Sequence, residues 1–111
     1  MEYKLFGRTG VYISPIVLGC MMFGQKTDLD VTCEIIDYAI EEGVNFLDTA
    51  DVYGGGASED FVGEALQRNG RRNDVILATK VNGRMSSKPN DLGNSRHHII
   101  EGCEASLKRL K

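Results

Sequence analysis

Asn45-Phe46-Leu47-Asp48-Thr49-Ala50-Asp51-Val52-Tyr53-Gly54-Gly55-Gly56-Ala57-Ser58-Glu59 reads as a buried strand, a loop and a helix start. The apolar run ends on the carboxylate of Asp48. Tyr53 follows five residues later, and three glycines lead to the helix. A strand end followed by a glycine-rich loop and a helix is where α/β proteins place their chemistry.

Outward from this stretch, strands and helices alternate. Toward the N-terminus, Gly43 stands where a left-handed helix end is wanted. Before it, Val31, Ile35, Ile36, Ala39 and Ile40 recur at helical spacing as one apolar stripe, with Asp28 or Asp30 as cap. Ile16 to Gly19 reads as an earlier buried strand, and Pro15 excludes helix at Ser14. Tyr3 to Phe6 and Val11 to Ile13 flank Gly7-Arg8-Thr9-Gly10 and predict a β-hairpin.

Toward the C-terminus, Gly56 or Ser58 caps a helix with Phe61, Val62, Ala65 and Leu66 facing inward, ended by Asn69-Gly70. Asp74 to Val81 is β-branched and apolar on both faces, which predicts a strand covered on both sides of a parallel sheet. Asn82 to Asn94 is a long loop. Ser95 caps a last helix, whose expected inward positions are Ile99, Cys103, Leu107 and Leu110. The order is hairpin, then β-α-β-α-β-α, a parallel α/β architecture with right-handed crossovers.

Bulk properties narrow the function classes. A content of 41% hydrophobic and 26% charged residues over 111 positions excludes a disordered chain. A net charge of −3 advertises neither nucleic acid nor anionic membrane. No apolar run approaches the roughly 18 residues of a membrane span. The N-terminus lacks a signal-peptide layout. Cys20, Cys33 and Cys103 form neither a disulfide framework nor a metal pattern, so a reduced, cytoplasmic setting is expected and no metal site.

Two glycine-containing loops fail as nucleotide motifs. In Gly19 to Thr27, Gln25 stands between Gly24 and Lys26, which breaks the phosphate-loop pattern. In Gly54-Gly55-Gly56, Glu59 stands where a dinucleotide fingerprint wants its third glycine. His97 and His98 are helix neighbours that diverge too far to chelate, so a solvated or capping role is expected.

Asp48, Tyr53 and Lys80 carry the chemistry. If the strands of Asp48 and Lys80 are parallel neighbours, both ends emerge on one rim, and Tyr53 reaches it from the loop. A structural Asp48–Lys80 ion pair with a packed tyrosine is the plain alternative. The functional reading is a general acid. A phenol, with a reference pKa of about 10, is a poor donor at neutral pH. A nearby ammonium stabilises the phenolate, and a carboxylate holds the ammonium. Such a set protonates a developing alkoxide while a cofactor delivers hydride, which is carbonyl reduction.

These tracts resemble the N-terminal third of an aldo/keto reductase. The resemblance rests on Leu5 to Gly10, Leu18 to Gly24, Asn45 to Glu59, Ile76 to Val81, Ser95 to Gly102 and Ser106 to Leu110. The start of the last helix is similar to the branch of bacterial reductases and potassium-channel β subunits. The resemblance implies a (β/α)8 barrel, with this chain as its N-terminal hairpin and first three β/α units. It implies NADPH as cofactor and a small carbonyl substrate. Tyr53 would be the proton donor, Lys80 the partner that acidifies it, and Asp48 the residue that orients Lys80 and borders the cofactor. Gly19, Cys20 and Met21 would line the cofactor, although Cys20 departs from the threonine or tryptophan usual there.

A complete barrel takes about 250 residues. Residues 1–111 are therefore expected to be an incomplete domain, inactive alone, with exposed strand edges open to self-association. The competing function is an NADPH-sensing subunit that turns over slowly or not at all.

Overall fold

The computed structural model describes all 111 residues, Met1 to Lys111. β1 (Lys4–Leu5) and β2 (Tyr12–Ile13) pair antiparallel as the expected hairpin. β3 (Leu18–Gly19), β4 (Phe46–Asp48) and β5 (Ile76–Ala78) form a parallel sheet in that order, with β4 central. The register aligns Gly19, Asp48 and Ala78 in one row. All three strands therefore end at one rim.

α1 (Leu29–Glu41) follows β3, α2 (Ala57–Asn69) follows β4, and α3 (Arg96–Leu110) follows β5. Asp28 caps α1 by accepting from the Val31 N–H, and Ser95 caps α3 by accepting from the His98 N–H. These bonds satisfy donors that a helix start leaves orphaned. The core is one layer between sheet and helices, built around Leu47, Ile36, Val62 and Leu66. No helix is long and apolar enough to cross a membrane.

Three burial expectations need correction. Ile16 and Val17 are exposed, and Ile76 is partly so, because β3 and β5 each lack an outer neighbour and only the helix-side face of the sheet is covered. β5 is also shorter than Asp74 to Val81. On α1, Thr32, Ile36 and Ile40 are buried, whereas Val31 and Ile35 lie at the exposed margin of the stripe.

α3 is rotated from the expected face. His98, Ser106 and Leu110 are buried, while Ile99, Cys103 and Leu107 are exposed, Leu107 by 65%. Small residues cause this. A Cβ on Gly63 of α2 would lie 2.9 Å from the Leu110 Cα and closer still to the Arg109 carbonyl oxygen. A Cβ on Gly102 would lie 2.7 Å from Val81 Cγ2. The face that packs is therefore the i, i+4 row through His98, Gly102 and Ser106, where backbones can approach.

Candidate active site

The backbone ladder continues past the strands to the rim. Cys20 N–H donates to the Asp48 carbonyl at 2.9 Å, Thr49 N–H to Ala78 at 2.9 Å, and Asp51 N–H to Lys80 at 3.1 Å. The residues after each strand are thus held in order, and Asp48 and Lys80 emerge side by side.

Lys80 Nζ donates to Asp48 Oδ2 at 2.6 Å and to the Thr49 carbonyl at 2.7 Å. It also lies 5.1 Å from the centroid of the Tyr53 ring, within cation–π range. Burial pulls the Lys80 ammonium down, but hydrogen bonding and charge from Asp48, with a smaller share from Tyr53, outweigh it. Its pKa stands above the ordinary 10.5. Lys80 is therefore a fixed cation at neutral pH. Asp48 and Lys80 both remain about half exposed, so the pair faces the open rim.

Tyr53 opens a short 3-10 turn, Tyr53–Gly56. Gly54, Gly55 and Gly56 have φ of 61°, 65° and 107°, a run of left-handed conformations that only glycine adopts without strain. Gly56 is the residue at the helix cap position, and the Ser58 side chain is not a cap. Ser58 points inward instead. Its hydroxyl donates to the Cys20 carbonyl at 2.7 Å and, its one proton used, accepts from Thr49 Oγ1 at 2.8 Å.

Glu59 is completely buried beside Ser58. Its Oε1 accepts from the Thr79 hydroxyl at 2.6 Å, and its Oε2 from Arg109 Nε at 2.6 Å. The first turn of α2 thereby touches the ends of all three parallel strands. Sequence patterning missed Thr49, Thr79 and Arg109 as site residues, because buried polar contacts have no periodicity. The one available signal was the placement of Ser58-Glu59 one residue after the glycines.

The first-strand loop divides. Gly19 is exposed, and a Cβ on it would meet nothing within 4 Å. Met21 is exposed beside it. Cys20 is fully buried with its Sγ directed at the Leu18 carbonyl, and burial pushes its thiol up to about 12. Cys20 is a neutral packing group there and offers the rim only its backbone.

Away from the rim, a cavity of about 560 Å³ lies between the 82–94 loop and α3, lined by Asp51, Lys88, Asp91, His98, Glu101 and Arg109 among others. Asp51 and His98 are nearly inaccessible, and neither Asp51 oxygen nor His98 Nε2 has a hydrogen-bond partner. Burial, then the charge of Glu59, raises the Asp51 carboxyl above its ordinary 3.8. His98 Nδ1 lies 3.5 Å from Asp91 Oδ1. His97 is exposed, but His98 corrects the expectation of a solvated or capping pair, since the rotation of α3 turns it inward. No three His, Cys, Asp or Glu side chains come together as a metal cluster.

Known proteins resemble this chain in sequence and in fold. A family model described as "Aldo/keto reductase family" matches residues 15–111. An "Aldo-keto reductase YhdN" of Bacillus subtilis is 40% identical, covering 100% of this chain and 35% of that protein. A "Probable voltage-gated potassium channel subunit beta" of Arabidopsis thaliana is also 40% identical, covering 99% of this chain and 34% of that one. Among solved structures, the holo form of aldo-keto reductase AKR11C1 from Bacillus halodurans superposes with a TM-score of 0.86 at 40% identity, over 99% of this chain and 36% of that one. The chain spans about a third of the length of these relatives.

Proposed function

The chain belongs to the aldo/keto reductase family, and we propose that its rim is the proton-donating part of a site that reduces aldehydes or ketones to alcohols with NADPH. One observation carries the reading: Lys80 is locked between Asp48 and the Thr49 carbonyl and lies over the face of Tyr53. In its parallel strands, helices and N-terminal hairpin, the fold is that of the first three β/α units of a barrel.

The residues present fit the cofactor. Gly19 leaves open space on the rim, Met21 offers an exposed apolar side chain, and Asp48 a half-exposed carboxylate. These three, with the Cys20 backbone, would hold NADPH. When bound, it supplies the hydride that reduces the carbonyl carbon. Tyr53 donates its phenolic proton to the carbonyl oxygen as negative charge develops there. Lys80 stabilises the phenolate left behind. Asp48 keeps the Lys80 ammonium in place, so the donor is organised before substrate arrives.

Carbonyl-dependent NADPH oxidation by the full-length barrel that contains this segment, active as wild type and compared with Tyr53→Phe, tests this reading. Removing a general acid costs about 10²- to 10⁴-fold in rate. Equal rates in the two proteins would dismiss Tyr53 as the donor.

The 40% identity to a protein described as a potassium-channel β subunit favours a second reading. In it the protein senses NADPH and turns over slowly or not at all. Tight NADPH binding without carbonyl-dependent oxidation would select it.

We also propose that residues 1–111 form the N-terminal part of a larger barrel. The edges of β3 and β5 are free, so the isolated segment would self-associate through them and lack NADPH binding. Sedimentation and a fluorescence titration of the segment check both points.

A further inference from the structure

We propose that Glu59 and Thr79 are positioning residues for Lys80, and that the buried Glu59–Arg109 pair sets the spacing between Lys80 and the Tyr53 turn. The catalytic readout below rests on the reductase reading; the spectroscopic readout does not.

Lys80 lies two residues beyond the end of β5 and is about half exposed. Its carbonyl accepts from the Asp51 N–H at 3.1 Å, which ties the backbone to the neighbouring strand but not to α2 or α3. Thr79 supplies an anchor immediately before it. Along an extended segment successive side chains point to opposite sides. Lys80 reaches the rim, and the Thr79 hydroxyl reaches Glu59 Oε1 at 2.6 Å.

Glu59 has no access to water, and burying a carboxylate costs several kcal/mol unless it is paired and hydrogen-bonded. Both oxygens are used, one by Thr79 and the other by Arg109 from the last turn of α3. Arg109 reaches this place across Gly56, the last residue of the Tyr53 turn. A Cβ on Gly56 would lie 2.9 Å from Arg109 Cδ and 3.1 Å from Nε. The guanidinium therefore packs on the turn that carries Tyr53 while its partner carboxylate holds the residue before Lys80. Donor turn and lysine are referred to one buried ion pair.

Two variants separate positioning from plain stability. Thr79→Val removes the hydroxyl but leaves the Glu59–Arg109 pair, and Thr79→Ser restores the hydroxyl. Lys80 is observed by NMR of its ε-methylene in protein carrying ¹³C-labelled lysine, which leaves all three ammonium protons in place for Asp48 and Thr49, the resonance being assigned by its loss in Lys80→Arg. The charged and titratable groups facing Lys80 are Asp48 from β4 and Tyr53 from the turn, with the buried, neutral Cys20 thiol behind the rim.

The expected result is that Thr79→Val lowers the Lys80 titration midpoint and shifts its resonance, and that Thr79→Ser returns both to wild type. In the carbonyl assay, Thr79→Val should lower kcat about ten- to a hundredfold with little change in KM, as a misplaced catalytic group does. The pH profile of kcat should move with the NMR midpoint. Glu59→Gln, which keeps an acceptor but loses the charge, should give an intermediate shift.

An unchanged Lys80 resonance in folded Thr79→Val would overturn the proposal, as would failure of Thr79→Ser to restore it. A Lys80 shift in a protein that lacks carbonyl reduction would sustain the positioning role and remove the reductase reading instead. Should Glu59→Gln not fold, Thr79→Val still decides the matter, because the ion pair remains in it.

Discussion

The first turn of α2, and the cavity where His98 of α3 meets Asp51 from the loop after β4, both bury polar side chains, and they do so in opposite ways. In α2, Ser58 and Glu59 are inaccessible and every side-chain oxygen is engaged, at 2.6 to 2.8 Å. In α3, His98 faces a cavity with one ring nitrogen unpartnered, opposite an Asp51 carboxylate with neither oxygen partnered. A satisfied buried polar network rigidifies its neighbours, whereas an unsatisfied one is costly and invites water or movement. The rigid cluster adjoins Asp48, Tyr53 and Lys80, whose proposed chemistry would need close positioning. The loose one adjoins the long 82–94 loop.

This contrast is broken most severely by Glu59→Ala. The change leaves the Arg109 guanidinium and the Thr79 hydroxyl without a partner. Removing one member of a fully enclosed pair costs about 3–5 kcal/mol. Arg109 is 21% exposed and recovers some hydration, so a loss of about 2–3 kcal/mol is expected. Urea denaturation followed by circular dichroism measures it. A loss below about 0.5 kcal/mol would mean the cluster is not rigid and the contrast with α3 is empty.

Gly63→Ala comes next. The added methyl would meet the backbone of Arg109 and Leu110, which cannot swing aside as a side chain would. Overpacking of this kind costs about 1–3 kcal/mol, and α3 would have to lift from α2. The variant should therefore also loosen Arg109 from Glu59. Faster hydrogen exchange at the C-terminal end of α3, with α1 unchanged, is the expected signature.

The same contrast explains what could be read in the sequence. Asp28, Ser95, Gly43 and Gly70 mark helix ends correctly, because capping and left-handed glycines depend only on local backbone chemistry. The strand order and the meeting of Asp48 with Lys80 follow from alternation and parallel pairing, which are also local patterns extended by a topological rule. The face of α3 was not legible. Of its four expected inward positions only Leu110 reaches the core; Ile99, Cys103 and Leu107 are exposed, and the rest of the packing face is His98, Gly102 and Ser106. That face is set by how closely two backbones approach at Gly63, which is a property of the pair of helices. Glu59, Thr79 and Arg109 lie on or beside three successive elements, with Thr79 and Arg109 20 and 50 residues from Glu59, so no short window of the chain contains their contact.

The smallest expected effect has the opposite sign and sharpens the contrast most. Asp51→Asn keeps the shape of the side chain and removes the charge. Asp51 has a folded pKa above its ordinary 3.8, because burial and the neighbouring Glu59 charge disfavour the anion. Between 3.8 and the raised value the native protein binds a proton that the unfolded chain does not. Wild-type stability therefore falls as pH rises through that window, and the whole penalty is present above it. Asparagine carries no such penalty. The variant should match the wild type at pH below the window and exceed it at neutral pH, by up to about 1 kcal/mol. Urea midpoints measured across the window give the difference directly. Glu59→Gln, by contrast, should lose stability at neutral pH, since its carboxylate is the one that Arg109 needs. If Asp51→Asn is instead destabilising at neutral pH by as much as Glu59→Gln, then Asp51 is partnered in solution, and the two polar clusters are buried on equal terms.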